Sequence, residues 1–171
     1  MFVTKHMPIL KTRRLKLRPM DINDSEQVVL WRNMDHVVSN SIVKNKIKLN
    51  EHIKWFKESR KSRIDYIIEI LSLNKMIGVL SFKIVHVSSK LVFGEIGKYI
   101  GEKEEMGKGY AIEGTRRWIE FGFEYCNFDQ IFSITKKTNF INIHINKRLG
   151  LKIDHSYDEK NEYHKMSILK P

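Results

Sequence analysis

The chain has 171 residues, and its 31 Lys and Arg residues against 20 Asp and Glu residues give a formal net charge of +11, which indicates an anionic partner. Its 42% hydrophobic content is that of a folded chain, and domains of roughly 100–200 residues predict a single domain over residues 1–171. The single cysteine, Cys126, excludes an internal disulfide and a cysteine zinc cluster, and no apolar stretch approaches the ~20 residues of a membrane span, so we expect a cytoplasmic protein without a metal.

The first part of the chain predicts one strand and two helices. Residues 13–18 alternate polar and apolar side chains, as a strand with one buried face does. Asn23 and Glu26 have the spacing of a capping box, and a short amphipathic helix that includes Trp31 follows them. A second helix covers residues 50–56, because apolar side chains recur there at intervals of four and three and therefore lie on one face.

The apolar pattern changes in the middle of the chain. Residues 65–73, 76–85 and 91–100 are rich in apolar and β-branched side chains and are separated by short polar segments. Such runs in succession predict strands that are joined by short turns. We therefore expect an antiparallel meander of three strands.

The last part of the chain returns to a helical pattern. A long helix begins at Gly109, with one apolar stripe formed by Ile112, Thr115, Ile119, Phe123 and Cys126. Residues 131–134 predict a strand, residues 139–148 a helix that stops at Gly150, and residues 166–169 a last strand. This order of elements predicts an α+β, or mixed α/β, fold.

Two glycines flank a lysine in the segment 104–113, between a strand that ends near Gly101 and the long helix. At Gly107, Lys108 and Gly109, free backbone N–H groups and the helix dipole converge, as in helix N-termini that bind phosphate. The spacing excludes a Walker A loop, because Gly109 follows Lys108 where Ser or Thr is required, and it excludes a dinucleotide-binding fingerprint. A glycine-rich turn without a ligand is the alternative.

Two separated motifs resemble one family. Residues 106–113, Met-Gly-Lys-Gly-Tyr-Ala-Ile-Glu, follow residues 95–101, Glu-Ile-Gly-Lys-Tyr-Ile-Gly, and resemble the acetyl-CoA-binding core of the GNAT acetyltransferase superfamily. The family's loop reads Gln/Arg-x-x-Gly-x-Gly/Ala, and Glu104 stands at its first position here. Residues 139–151 resemble the family's Asn-x-x-Ser element, which ends in Lys-Leu-Gly-Phe. The resemblance implies a mostly antiparallel sheet of six or seven strands, splayed at two central parallel strands, with four flanking helices.

The resemblance also implies that acetyl-CoA is the co-substrate. The pantetheine arm would pair with the backbone of residues 98–101 where the two parallel strands splay apart, and the pyrophosphate would reach residues 107–110. Asn139 would contact the pantetheine arm. The implied CoA-binding residues are Lys98, Tyr99, Ile100, Met106, Gly107, Lys108, Gly109, Tyr110, Ala111, Asn139, Asn142 and Lys147.

Glu95 is the candidate catalytic base. Acetyl transfer to an amine needs a neutral nucleophile, and therefore a general base. On the strand 91–100, Glu95 shares a face with Phe93, Gly97 and Tyr99, so it is an ionisable group in an otherwise apolar strand. An exposed or internally paired glutamate is the alternative.

The departing thiolate of CoA needs a proton, and the source of this proton is open. Relatives often use a tyrosine seven residues after the asparagine that corresponds to Asn139, and this chain has Asn146 at that position. An asparagine does not serve as a proton donor. Tyr99 or Tyr110 serves instead, or the thiolate leaves to solvent, although both tyrosines also fit the role of half-buried core residues.

The N-terminal half carries a second resemblance, to bacterial nucleotide-sugar amine N-acetyltransferases of the pseudaminic-acid-pathway type. It rests on Leu-Trp-Arg-Asn at residues 30–33 and Glu-His-Ile-Lys-Trp-Phe at residues 51–56. It implies acetylation of the 4-amino group of a UDP-linked or dTDP-linked deoxy amino sugar. The implied substrate contacts are Trp31, Arg32, Asn33, His52 and Trp55, where an arginine can bind phosphate and a tryptophan can stack on a base or sugar. Each also has a structural alternative, as core aromatics or as a bracing arginine.

Other functions fit parts of the same pattern. A ribosomal-protein N-terminal alanine N-acetyltransferase, or another small-amine acetyltransferase, is the alternative within the enzyme class. A nucleic-acid-binding module is disfavoured, because the basic residues are spread along the chain and do not form one stripe. A CoA sensor without catalysis is a further alternative. We expect binding of acetyl-CoA and a nucleotide-linked amino sugar, no membrane or nucleic-acid partner, and an exposed sheet edge that permits a homodimer.

Overall fold

The computed structural model describes residues 7–42, 44–157 and 162–171. The elements in chain order are β1 (Leu10–Lys11), β2 (Leu15–Pro19), α1 (Ser25–Arg32), α2 (Asp35–Val38), α3 (Leu49–Ser59), β3 (Arg63–Ile70), β4 (Lys75–His86), β5 (Val92–Ile100), α4 (Tyr110–Glu124), β6 (Gln130–Lys136), α5 (Phe140–Arg148), β7 (Lys152–Ile153) and β8 (Tyr163–Leu169). The mixed α+β class is confirmed.

All of these strands form one sheet in the order β1-β2-β3-β4-β5-β6-β8-β7. Neighbouring strands run antiparallel except β5 and β6, which are parallel. The meander β3–β4–β5 is therefore confirmed. The described residues contain eight strands and five α-helices, against the six or seven strands and four helices expected. The additional elements are β1, β7 and α2, which are too short for a periodic pattern to reveal them.

The main hydrophobic core lies between the sheet and α4. Trp118 of α4 is fully buried and stacks on Phe82 of β4, with ring centroids 4.7 Å apart. Leu15, Tyr66 and Phe121 are buried in the same cluster. The apolar stripe predicted for α4 is thus the face that covers the sheet.

A second, smaller core lies on the opposite face of the sheet, under α1 and α3. It consists of Met20, Val28, Trp31, Phe56, Ile67 and Val79. Along β5 the side chains alternate between the two cores: Ile96 and Ile100 enter the first, and Tyr99 packs against the second. Successive side chains of β5 therefore lie on opposite faces of the sheet, one face toward the main core and the other toward the smaller core.

The two parallel strands separate soon after they meet. β5 pairs with β6 only at Phe93 with Gln130, Gly94 with Ile131 and Glu95 with Phe132. Beyond these pairs, the edge of β5 that faces β6 forms no ladder with it in the described part of the chain. The splay expected from the resemblance is therefore present, and it leaves backbone N–H and C=O groups that need partners.

Two local expectations near the N-terminus are wrong. Residues 13–14 belong to the turn between β1 and β2, which is closed by a hydrogen bond from Thr12 N to Leu15 O of 2.9 Å. The capping box is formed by Asp21 and Asp24 and not by Asn23 and Glu26: the Asp24 carboxylate accepts from Asp21 N at 2.7 Å. The described helices include none that is long and apolar enough to cross a membrane.

Candidate active site

The loop before α4 is built by two glycines in the left-handed region. Gly107 has φ 76° and Gly109, the N-cap of α4, has φ 83°, conformations that favour glycine. The first N–H groups of a helix have no partner within the helix, so those of α4 are directed into this loop. The backbone here can bind an anion such as a phosphate group.

Ion pairs hold this loop against the sheet. Glu105 is buried, and its carboxylate accepts from Lys108 Nζ at 2.8 Å and from Lys75 Nζ at 3.1 Å. Lys75 Nζ also lies 2.7 Å from the Glu104 carboxylate. The glutamate at position 104, where the family's loop begins with Gln or Arg, therefore anchors the loop to the start of β4.

The first turn of α4 is fixed to the β1–β2 hairpin through Glu113. Its carboxylate accepts hydrogen bonds from Thr12 Oγ1 at 2.6 Å, from Arg14 N at 2.9 Å and from Arg14 Nε at 2.6 Å. Burial acts to raise the pKa of Glu113, but these hydrogen bonds outweigh it and lower the pKa. The Arg14 guanidinium also lies over the Tyr110 ring, 4.5 Å from its centroid.

An open groove of about 440 Å³ adjoins this turn. Its lining contains the basic side chains of Lys11, Arg14, Arg116, Arg117 and Arg148 against the carboxylates of Glu113 and Glu120, so positive charge is in excess there. Part of the excess positive charge is therefore concentrated beside the anion-binding loop, where it attracts a phosphorylated ligand.

The gap between β5 and β6 contains a chain of polar side chains. Lys98 Nζ donates to Asn146 Oδ1 at 2.6 Å, and the Asn146 amide lies 3.4 Å from Thr135 Oγ1. Asn142 Nδ2 donates to the same Thr135 oxygen at 2.9 Å. Burial lowers the pKa of Lys98 to about 7. The Lys98 ammonium group thus lies in the gap, where it donates a hydrogen bond to the uncharged side-chain amide of Asn146.

The remaining residues predicted to bind CoA belong to the elements that border this gap and loop, namely β5, the loop before α4, α4 and α5. Asn139 caps α5, because its Oδ1 accepts from Asn142 N at 3.0 Å. Tyr110 and Ala111, at the start of α4, are partly buried and pack against the main core. Met106 is exposed and lies beside the glycines, Ile100 is buried in the main core, and Lys147 is exposed in the last turn of α5.

Glu95 lies on the face of β5 that is opposite to Lys98. Its paired neighbour on β4 is Lys83, whose Nζ is 3.8 Å from Glu95 Oε2. The next row of the sheet on this face consists of Asp65, Ser81 and Gly97. Two carboxylates therefore occupy adjacent rows on the side of the sheet that α1 and α3 cover.

Several polar atoms on this side are buried without a hydrogen-bond partner among the described residues, among them Arg32 Nε, His52 Nε2, Arg63 Nε and the Tyr99 hydroxyl. Burial, and then the charge of Arg32, lowers the pKa of His52, so its imidazole is neutral at pH 7. Burial raises the pKa of Tyr99, which keeps the phenol protonated. Unpaired buried polar groups are costly, so such atoms are positions at which a ligand can supply a missing hydrogen bond.

Asp65 and Arg63 lie beside these atoms, and sequence reasoning did not identify them. We refer to the cluster on this face as the pocket; it consists of Arg32, His52, Trp55, Arg63, Asp65, Glu95 and Tyr99. Arg63 Nη2 lies 3.0 Å from Asp65 Oδ1, and its guanidinium lies over the half-exposed Trp55 ring, 5.2 Å from the centroid. Burial raises the pKa of Asp65, and Arg63 opposes the rise. The available signal was a charged residue in an apolar strand, the same signal that pointed to Glu95.

Two of the predicted substrate contacts have their hydrogen-bond partners within the protein. Trp31 is 0% exposed, and its Nε1 donates to Glu102 Oε1 at 2.7 Å, so its ring belongs to the second core. Asn33 donates to Ile47 O and accepts from Ile47 N, both at 2.9 Å. These side chains pack α1 and fix the segment before α3, and they leave Arg32, His52 and Trp55 as the predicted contacts that line the pocket.

The splayed parallel strands, the glycine loop at a helix N-terminus and a carboxylate-bearing pocket on the opposite face define an acyltransferase of the GNAT type. Residues 14–152 match the "Acetyltransferase (GNAT) domain" family, and the chain belongs to that family. Its members transfer acetyl groups from acetyl-CoA to amines.

Comparison with individual proteins agrees with this membership. The chain is 24% identical over 146 residues to the "Uncharacterized protein YkkB" of Bacillus subtilis (strain 168), covering 83% of this chain and 84% of that protein. Spermidine N-acetyltransferase from Vibrio cholerae, solved with CoA and spermine, superposes with a TM-score of 0.81 at 17% identity, over 93% of this chain and 97% of that chain. Ribosomal-protein-S5-alanine acetyltransferase from Vibrio fischeri superposes with a TM-score of 0.73 at 15% identity, over 96% of this chain and 97% of that chain. At these identities the structural likeness establishes the fold.

Proposed function

We propose that this N-acetyltransferase acetylates the 4-amino group of a UDP-linked or dTDP-linked deoxy amino sugar. The observation that carries the proposal is a group of buried atoms in the acceptor pocket, Arg32 Nε, His52 Nε2, Arg63 Nε and the Tyr99 hydroxyl, that have no hydrogen-bond partner among the described residues. Such groups match an acceptor with phosphate and hydroxyl oxygens, which supply the missing hydrogen bonds. The half-exposed Trp55 ring offers an apolar surface beside them.

Acetyl-CoA binding is proposed on the other side of the sheet. The pyrophosphate lies at Gly107, Lys108 and Gly109, where α4 presents its free N–H groups. The pantetheine arm lies in the gap between β5 and β6 and satisfies the backbone groups that the splay leaves without ladder partners. The basic groove beside Gly109 attracts the phosphates of the incoming molecule.

Glu95 is the proposed base. At neutral pH the acceptor arrives as an ammonium ion, and the Glu95 carboxylate removes its proton directly or through one water molecule. The neutral nitrogen attacks the thioester carbonyl and a C–N bond forms. The nitrogen then loses its second proton to water, and collapse of the tetrahedral intermediate breaks the C–S bond and releases the CoA thiolate. Glu95 suits this role because its ion pair with Lys83 is long, at 3.8 Å, and partly exposed.

A protein N-terminal alanine is the second candidate acceptor. The carboxylates of Asp65 and Glu95 on adjacent rows favour a cationic amine of any kind. Asp65 is already paired with Arg63, however, and the unpaired groups of the pocket are not acidic. For this reason we place the nucleotide-linked amino sugar first.

The acceptor is tested by release of free thiol from acetyl-CoA with three amines: a UDP-4-amino-4,6-dideoxy sugar, an alanine-terminated peptide and spermidine. The proposal expects the highest kcat/KM for the nucleotide sugar. Arg32→Met should raise the KM for that sugar by ~10-fold or more and leave the KM for acetyl-CoA unchanged, because one charge-assisted hydrogen bond contributes about 1.5–3 kcal/mol.

The matched control is Arg60→Met, which removes an exposed arginine that the pocket does not use. A preference for the peptide or spermidine, with Arg32→Met no different from Arg60→Met, would overturn the assignment of the acceptor. Acetyl transfer to any of the three amines still establishes the acetyltransferase activity of this chain.

A further inference from the structure

Lys98 has an unusual position for a lysine. It lies on β5 three residues beyond Glu95, the last residue that pairs with β6. Thr135 lies three residues beyond Phe132, the partner of Glu95, so Lys98 and Thr135 face each other across the gap in the register of the ladder that ends there. The lysine side chain therefore occupies the point at which the two parallel strands have separated.

The surroundings of Lys98 are uncharged. Its Nζ donates to Asn146 Oδ1 at 2.6 Å, and Asn146 is fully buried. Leu80 is its neighbour on β4, Thr135 lies opposite on β6, and Met166 of β8 contacts the Asn146 amide. Among the described residues, no carboxylate forms an ion pair with Lys98. The ammonium group thus donates to a neutral oxygen in the cleft, and Lys98 as a residue is still partly exposed to solvent.

We propose that Lys98 is the general acid that protonates the CoA thiolate in the reaction assigned above, so this inference rests on the proposed acetyl transfer. When the C–S bond of the tetrahedral intermediate breaks, the sulfur takes a proton from Lys98 Nζ and leaves as the thiol. The neutral amine of Lys98 regains a proton from water through the open side of the cleft. One proton is released to solvent for each ammonium ion that becomes an amide.

Two features support this assignment. Burial brings the pKa of Lys98 to about 7, so its ammonium group gives up a proton readily at neutral pH. Asn146 stands where relatives of this family often have a tyrosine, and it serves as an acceptor for Lys98 and cannot itself supply the proton. The cleft therefore contains a proton donor, contributed by β5 and not by α5.

The test compares wild type, Lys98→Met, Asn146→Asp and the double variant Lys98→Met/Asn146→Tyr. Thiol release from acetyl-CoA is measured between pH 6 and 10 with whichever amine of the acceptor set is turned over, so an error in the acceptor does not affect the result. In wild type, kcat should fall as the pH rises above about 7, because the acid loses its proton. Lys98→Met should lower kcat by ~100-fold and lack this alkaline limb, with the acetyl-CoA Kd changed less than ~3-fold.

The other variants make the test independent of that one substitution. A carboxylate in Asn146→Asp raises the affinity of Lys98 for its proton, so the alkaline limb should move to higher pH. The tyrosine in Lys98→Met/Asn146→Tyr should restore part of the rate, with a limb near pH 10. Lys90→Met, at an exposed turn, is the control for loss of one positive charge.

Three results would overturn the proposal. The first is a Lys98→Met variant that keeps the wild-type rate and pH profile. The second is that Lys98→Met loses acetyl-CoA binding but keeps the alkaline limb, and that the limb does not move in Asn146→Asp. This is the behaviour of a structural residue. The third is mass-spectrometric detection of a stable acetyl group on Lys98 after incubation with acetyl-CoA, which would make it an acceptor.

Discussion

Lys83 of β4 and Glu95 of β5 are neighbours in the sheet, with 3.8 Å between Lys83 Nζ and a Glu95 carboxylate oxygen. The pair is partly exposed, and ion pairs of this kind contribute only about 0–1 kcal/mol to stability. Glu95 is therefore oriented by its strand and is not locked by its partner. A base must release its contacts when it accepts a proton, and this arrangement permits that step.

Glu95→Gln should lower kcat by ~100-fold at neutral pH and leave the affinity for acetyl-CoA nearly unchanged, because the amide keeps the shape and loses the basic oxygen. The measurements are thiol release and calorimetric titration with acetyl-CoA. Glu26→Gln, an exposed position on α1, is the matched control. Loss of acetyl-CoA binding in Glu95→Gln would instead indicate a structural role.

Gly109→Val should weaken acetyl-CoA binding by ~10-fold or more without unfolding the protein. Gly109 has φ 83°, which a β-branched residue adopts only with strain, and a Cβ atom there would lie 3.3 Å from Arg14 Nη2. Gly107→Ala is a useful comparison, because its φ is 76° but nothing lies within 4 Å of the added carbon. Calorimetry that finds equal affinities in wild type and Gly109→Val would contradict the phosphate-binding role of the loop.

Asp24→Asn should lower the Tm at pH 7 and reduce the loss of stability on acidification. Arg18 donates to both Asp24 oxygens at 2.8 Å and to Glu69 at 2.6 Å, which joins β2, β3 and the turn before α1. Burial acts to raise the pKa of Asp24, but its hydrogen bonds, with Arg18 as the main donor, outweigh burial and lower it. The stabilisation is present above pH ~4, the value for an unfolded aspartate, and is lost as the pH falls through the lower folded pKa.

The size of the Asp24 effect follows from the bonds that are lost. Hydrogen bonds to a charged group contribute about 1.5–3 kcal/mol, so the change is visible in thermal unfolding at pH 7. Scans between pH 7 and 3 should give converging Tm values for wild type and Asp24→Asn at the acid end. Parallel curves would show that this carboxylate does not titrate differently on folding.

Ionic strength should affect the capture of acetyl-CoA. The basic groove that contains Lys11, Arg14, Arg116 and Arg148 acts at long range, and the Debye length shortens from about 10 Å at 0.1 M salt to about 3 Å at 1 M. The KM for acetyl-CoA should therefore rise several-fold with salt, while kcat changes little. A KM that is independent of salt would show that the net charge of +11 serves only solubility.

The meander and α4 were predictable because long apolar runs determine them. The residues 65–73, 76–85 and 91–100 correspond to Arg63–Ile70, Lys75–His86 and Val92–Ile100. Gly150, predicted as the stop of α5, has φ 88° just after that helix. Boundaries differ where a turn is made by hydrogen bonds that no pattern of hydrophobicity records, as at Thr12 and Leu15.

The site was less predictable, for a physical reason. The motif around Trp31 and Asn33 serves packing and loop fixation, since a residue at a motif position can support the site without touching its ligand. The pairs Arg63–Asp65 and Lys98–Asn146 depend on strand register and on where β5 and β6 separate. Lys98 was expected to contribute only its backbone, because residues 98 and 146 come together only after the sheet has formed.

The most direct test of acetyl transfer to a nucleotide-linked amino sugar is the product itself. The purified chain is incubated with acetyl-CoA and a UDP-4-amino-4,6-dideoxy sugar, and the products are measured by mass spectrometry together with free thiol. The account predicts one acetyl group on the sugar amine for each CoA thiol released, with the yield strongly reduced in Glu95→Gln. Thiol release without an acetylated sugar, or an unmodified sugar beside an acetylated peptide or spermidine, would contradict it.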